Sequence, residues 1–256
     1  MKQHKEFDCF IFTHIPKCGG SSFRKYIYDT AINSNITSQE VHIPGEGNLA
    51  NTKNIPNLTK HELSKLQNKS TKIIADHSKF NVHREYEIKK ISKPFYFTML
   101  RDPVERFISH YYFFYFKLGY NNLKNVHLND LSKEQLEKLS NTLENIQVNF
   151  ICNNKIKRPI THLDCNRAMG ILANRYHCFG ILEQTETSIQ LLQKMKPKWL
   201  SMKTSFPKSN VNSKKKNFNL NNEIIEQIKI ATRFDEILYS HAQNLFELRA
   251  KLFLGK

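Results

Sequence analysis

The chain has 256 residues, 39% hydrophobic and 24% charged, which suits one large domain or one domain with insertions and excludes a disordered chain. Its net charge of +16, from 39 Lys+Arg against 23 Asp+Glu, attracts anions such as nucleotides, nucleic acid, acidic polysaccharide or a membrane surface. A composition crowded with Lys, Asn and Ile reaches the same charge without any binding role. No run of ~18 apolar residues is long enough to span a bilayer. The first apolar run, Cys9 to Phe12, is too short for a signal peptide, so a cytoplasmic protein is expected.

Residues 7–14, Phe-Asp-Cys-Phe-Ile-Phe-Thr-His, form a β-rich apolar run that predicts a buried strand. A Gly-containing loop follows at 15–20, and a helix is expected from Ser21 to Thr30, with Ser21 or Ser22 as N-cap. Residues 33–60 are rich in Asn, Thr, Pro and Gly and predict irregular structure. Short strands are expected at Lys72 to Ala75 and at Phe95 to Leu100. Asp102 and Pro103 then suit the N-cap and first turn of a helix running to about Lys117. Phe107, Tyr111, Phe114 and Tyr115 have helical spacing on it and are assigned to the core. Further helices are expected at about 132–150, 164–175 and 185–195, with a strand at Tyr176 to Leu182. An amphipathic helix at about 222–252 offers Ile224, Ile228, Ala231, Ile237, Leu238, Ala242, Leu245 and Leu248 as core positions.

Strands alternating with helices imply a mainly parallel sheet flanked by helices, a three-layer, P-loop-like α/β fold. One domain over 1–256 is expected, with irregular segments near 33–70 and 118–165 forming the acceptor side. The five cysteines include no Cys-x-x-Cys pair, and an odd count argues against a disulfide framework. No metal is expected.

Two segments carry chemistry. The first is His14-Ile15-Pro16-Lys17-Cys18-Gly19-Gly20-Ser21-Ser22. Strand, short loop and helix in that order converge loop amides and a helix N-terminus on one point, which makes an anion site. The lysine precedes the glycines here, whereas the common ATP-binding loop places it after the last glycine. The second segment contains Arg101-Asp102-Pro103 and, eight residues beyond the arginine, Ser109. A guanidinium fork and a hydroxyl arriving from the same side can clamp a second phosphate.

These two segments resemble the donor-binding motifs of the sulfotransferase superfamily, and most closely its carbohydrate branch, which includes heparan sulfate 2-O- and 6-O-sulfotransferases. The resemblance implies that Pro16, Lys17, Cys18, Gly19, Gly20, Ser21 and Ser22 hold the 5′ end of 3′-phosphoadenosine 5′-phosphosulfate (PAPS), and that Arg101 and Ser109 hold its 3′-phosphate. Phe179-Gly180-Ile181-Leu182-Glu183, Ser188 to Leu192 and Phe234-Asp235-Glu236-Ile237-Leu238-Tyr239 resemble later family segments. Cys18 departs from the usual Thr. A thiol bonds more weakly than a hydroxyl, so if this side chain takes part in binding, a modestly lower donor affinity is expected. His77, in Ala75-Asp76-His77-Ser78-Lys79-Phe80, matches the family's catalytic-base position, with Asp76 either orienting it or simply solvated. His14, His83 and His110 are rivals for that role. In related enzymes a basic loop before the last helix closes over the nucleotide, which points to Lys214, Lys215 and Lys216.

The implied reaction is in-line sulfuryl transfer to a carbohydrate hydroxyl, leaving 3′,5′-adenosine bisphosphate (PAP). His77 would take the proton and Lys17 would neutralise charge on the departing oxygen. The acceptor is a glycan, possibly anionic, or another hydroxyl compound; no nucleic-acid partner is expected, and oligomeric state is left open. Three other classes compete. A nucleotide kinase needs a Gly-Lys-Ser/Thr ending and a Mg²⁺-binding Asp. A nucleic-acid-binding protein would explain the charge but needs a recognised motif. A non-catalytic nucleotide- or glycan-binding module would keep the loop without the base.

Overall fold

The computed structural model describes residues 7–42, 64, 67, 70–85, 87–153, 158–202, 206 and 219–255. Five strands form one sheet in the order β2-β3-β1-β4-β5, with β1 at Cys9–Thr13, β2 at Val41–His42, β3 at Ile73–Asp76, β4 at Pro94–Leu100 and β5 at Cys178–Ile181. Every pair is parallel, in a register that sets Phe10 beside both Ile73 and Phe95. All five residues of β1 are buried. The central strand of a sheet covered on both faces is uniformly apolar rather than alternating.

The helices are α1 at Gly20–Asn33, α2 at Val82–Glu85, α3 at Pro103–His110, α4 at Lys133–Leu143, α5 at Ile146–Cys152, α6 at His162–Asn174, α7 at Thr185–Met195, α8 at Asn222–Ala231 and α9 at Arg233–Leu254. Period-two side-chain alternation sends Phe12 and Phe97 to one face, where both pack on Phe23 of α1. Phe179 faces the other side and meets Phe246 of α9. Helices thus cover both faces of the sheet, the three-layer arrangement expected from the element order.

Three local expectations are corrected. Neither Ser21 nor Ser22 caps α1. Gly19 does so, in the left-handed region at φ +78°, and both serines fall within the first turn. The expected helix at 132–150 is two helices, broken at Asn145, whose φ is +44°. The terminal helix is likewise two, divided at Thr232. Phe234, Phe246 and Ala250 enter the core with Ile224, Ile228, Leu238 and Ala242, whereas Ile237 and Leu248 are exposed, Leu248 by 66%.

The helix after β4 begins as expected. Asp102 caps α3 by accepting the Glu105 N–H at 2.9 Å, and Pro103 occupies its first turn. Phe107, Tyr111, Phe114 and Tyr115 are all buried. From Tyr111 to Lys117, however, the chain winds as a π-helix, a rare wide turn that occurs frequently at functional sites.

Candidate active site

Because the strands are all parallel, the carboxyl ends of β1, β3 and β4 lie at one edge of the sheet. Ligands of open α/β sheets bind outside that edge. The loop 14–20 leaves β1 there, His77 follows β3, and Arg101 follows β4. Segments separated by up to 84 positions are brought into hydrogen-bond contact.

The loop is tightly wound. Lys17 adopts φ +67° and Gly19 φ +78°, and the Cys18 N–H donates to the Ile15 carbonyl at 3.3 Å. A left-handed non-glycine residue is uncommon and costs free energy of order 1–3 kcal/mol, and such residues cluster at functional sites. Gly20 is needed for a different reason: a Cβ there would land on the His14 ring. Its lack of a side chain lets α1 start directly against that imidazole. Pro16 is buried, Ser22 half-buried and Ser21 exposed.

The Lys17 ammonium sits 3.9 Å from the centroid of the Phe113 ring. Phe113 belongs to the π-helical stretch and was not singled out in the sequence, where the Tyr111–Phe116 run gave no sign of which ring would meet the lysine. Cys18 turns inward. It is buried, its thiol points to Gln147 Oε1 at 3.6 Å and to the Pro16 carbonyl at 3.9 Å, and burial pushes its pKa up to about 12. The thiol is thus engaged beneath the loop.

His77 is 5% exposed. Its Nδ1 lies 2.8 Å from the carbonyl oxygen of His14. Asp76 accepts the His77 main-chain N–H at 2.6 Å, so it shapes the turn, and the backbone of His14 orients the ring. The His14 imidazole stacks on that of His77 with centroids 3.8 Å apart. Burial, followed by the proximity of His77, holds the His14 pKa well below the ordinary histidine range. Two imidazoles this close disfavour joint protonation. The other rivals are packed away. His83 bonds the Tyr96 hydroxyl at 2.7 Å, and burial lowers its pKa to about 4. His110 is fully buried against Phe114.

Arg101 reaches back over the loop. Its Nη1 donates to the Lys17 carbonyl at 3.2 Å, and its Nη2 pairs with Glu105 at 3.3 Å. Ser109 stands partly exposed in the last turn of α3. No hydrogen bond joins it to Arg101 or to the loop among the described residues. Lys214, Lys215 and Lys216 lie outside the described residues.

Beneath these groups lies a polar scaffold. Gln147 Oε1 accepts the Arg101 main-chain N–H at 3.0 Å, and its Nε2 donates to the Arg101 carbonyl at 2.9 Å. The Asp235 carboxylate accepts the N–H groups of Gln147 at 3.1 Å and Val148 at 2.8 Å. Asn145 returns the favour by accepting from the N–H groups of Phe234 at 2.9 Å and Asp235 at 3.3 Å. Burial raises the Asp235 pKa to about 6, against the pull of the Arg106 charge. Arg106 is 0% exposed and donates to the Leu143 carbonyl at 3.1 Å. Glu183 accepts the Asp102 N–H at 3.1 Å and the Tyr239 hydroxyl at 2.7 Å. The segments around 179–183 and 234–239 thus support the turn at Arg101. The available signals were a Gln at the start of one helix and an Asp in the first turn of another, and neither names its partner.

A sulfotransferase family model matches residues 4–243. The chain belongs to the sulfotransferase family. No curated protein matches it. The sulfotransferase match takes in the loop, His77, Arg101 and the scaffold through Asp235, so the whole cluster lies within the family's domain. Among the described residues of this sulfotransferase, no group of three or more His, Cys, Asp or Glu side chains is placed to hold a metal ion. No helix among them is long and apolar enough to cross a membrane.

Proposed function

We propose that this sulfotransferase moves the sulfuryl group of PAPS to a carbohydrate hydroxyl, within a single catalytic domain. The carrying observation is the His77 ring. A carbonyl oxygen only accepts, so Nδ1 of His77 donates to His14 and the neutral ring keeps its lone pair on Nε2. A histidine locked in one tautomer at the carboxyl edge of the sheet, beside an anion-binding loop, is equipped to take a proton from a hydroxyl. The same feature argues against a module that merely binds nucleotide.

In this reading the loop from Pro16 to Ser22 holds the 5′-phosphosulfate through main-chain amides and the serine hydroxyls. Lys17 leaves the Phe113 ring to neutralise charge on the departing oxygen. Arg101, with Ser109, holds the 3′-phosphate, and the charge of Lys214 to Lys216, outside the described residues, suits a phosphorylated nucleotide. Residues near 33–70 and 118–165 supply the acceptor side, and the +16 charge suits an anionic glycan. All five cysteines are buried free thiols, which fits a cytoplasmic setting.

Thermal shift separates this function from its rivals. PAP at 100 times its Kd should stabilise the fold by about 2.7 kcal/mol, with no shift from ATP and Mg²⁺. Stabilisation by ATP–Mg²⁺ alone would favour a kinase. Labelled PAPS offered with a panel of glycans then identifies the acceptor, and absence of label in every glycan would reject a carbohydrate acceptor.

A further inference from the structure

We propose that Gln147 is the positioning residue that couples the two ends of the donor site and thereby sets the preference for a nucleotide carrying a 3′-phosphate. The inference rests on the PAPS reading above. Arg101 follows the last paired position of β4, where Leu100 sits beside Ile181, so the sheet ladder supplies no partner for its main-chain N–H and C=O. Such groups need partners when water is excluded. The Gln147 carboxamide supplies both, at 3.0 and 2.9 Å, as an adjoining strand would. The same Oε1 meets the Cys18 thiol at 3.6 Å.

The guanidinium of Arg101 completes the link by donating to the Lys17 carbonyl at 3.2 Å. One planar amide, 1% exposed, thus fixes the strand end that presents Arg101 relative to the loop that holds Lys17. Gln147 is itself anchored, because its N–H donates to Asp235. The geometry requires an amide of this length. Glutamate keeps the acceptor but loses the donor and sets a charge against the Arg101 carbonyl. Methionine keeps the volume and loses both bonds. When the amide is lost, Arg101 moves relative to the loop, and the nucleotide can no longer satisfy both ends at once.

The test compares PAP with 5′-AMP, which lacks the 3′-phosphate, by calorimetric titration of the wild type, Gln147→Met and Gln147→Glu. The wild type should prefer PAP. Gln147→Met should lose about tenfold or more of that preference, equivalent to one or two positioning hydrogen bonds, while its 5′-AMP affinity changes little. Gln147→Glu should fall between the two, and KM for PAPS should rise more than kcat falls. A folded Gln147→Met that keeps the full preference, or that weakens both nucleotides equally, would overturn the proposal. If Gln147→Met does not fold, Gln147→Glu against the wild type decides the matter by the same ratio. A wild type indifferent to the 3′-phosphate would instead overturn the donor reading, and that result is visible before any variant is measured.

Discussion

The imidazole of His77 is held by the main chain of His14, with Nδ1 2.8 Å from the carbonyl oxygen. This bond joins the turn after β3 to the end of β1, and it leaves Nε2 as the proton-accepting atom. Because the acceptor is main chain, no substitution at His14 removes it.

His77→Ala should therefore reduce turnover by about 10²–10⁴-fold while PAP affinity stays within a few-fold of wild type. His14→Leu loses the stacking partner but keeps the carbonyl, so its turnover should fall far less. Turnover at saturating donor and acceptor, with PAP titration alongside, checks both. Near-normal activity in folded His77→Ala would remove it as the base.

Lys17 and Phe113 separate charge stabilisation from resting position. Lys17→Ala should cost at least about 10²-fold in turnover, because the ammonium acts on charge that develops only as the leaving group departs. Phe113→Leu removes only the ring under the ammonium, an interaction of about 0.5–2 kcal/mol, and should move donor affinity by no more than roughly tens-fold. Equal effects of the two substitutions on kcat would contradict this division.

Asp235 and Arg106 are both buried. Asp235 accepts the main-chain N–H groups of Gln147 and Val148, and a buried donor left unsatisfied costs about 1–3 kcal/mol, so Asp235→Ala should destabilise the fold by about 2–6 kcal/mol in urea unfolding. Replacing both, as Arg106→Met with Asp235→Leu, should cost less than the sum of the single changes. Additive costs would show that the two charges do not interact.

His83, held to about 4 by burial, makes stability depend on pH. Its folded pKa lies below the unfolded value of 6.5, so the unfolded chain takes up the proton first as pH falls. Stability is lost progressively from about pH 6.5 down to about 4, by up to roughly 3 kcal/mol. His83→Gln should flatten that part of the unfolding free energy against pH. An unchanged slope between pH 7 and 4.5 would mean that the ring titrates normally in the fold.

Much of the local structure was legible. The apolar run before Lys17, the Asp102–Pro103 helix start and the aromatic set from Phe107 to Tyr115 follow from hydrophobic pattern and capping chemistry, and each appears close to its expected place. The breaks at Asn145 and Thr232 did not announce themselves. Asn145 is held in its turn by bonds to Phe234 and Asp235, 89 and 90 positions away. Periodicity read along one segment carries no trace of a partner that distant. Ile237 and Leu248 were misplaced because their apolar character was weighed above their position: at about 100° per residue both lie well off the face shared by Ile224, Ile228, Leu238 and Ala242.

The sequence by itself determined the order of strand, Gly-containing loop and helix, the residues at the strand ends, and a composition able to form a layered α/β core, because these depend on local propensity and pattern. Tertiary structure decided the rest. Parallel pairing of β1 with β3 and β4 set Lys17, His77 and Arg101 along one edge. Packing turned the Cys18 thiol inward, laid Lys17 on Phe113, chose the His14 carbonyl over Asp76 as the partner of the His77 ring, and placed Gln147 between the loop after β1 and the turn at Arg101. Side-chain direction and long-range hydrogen bonding arise only when remote segments share one interior, and the active site is built from those two properties.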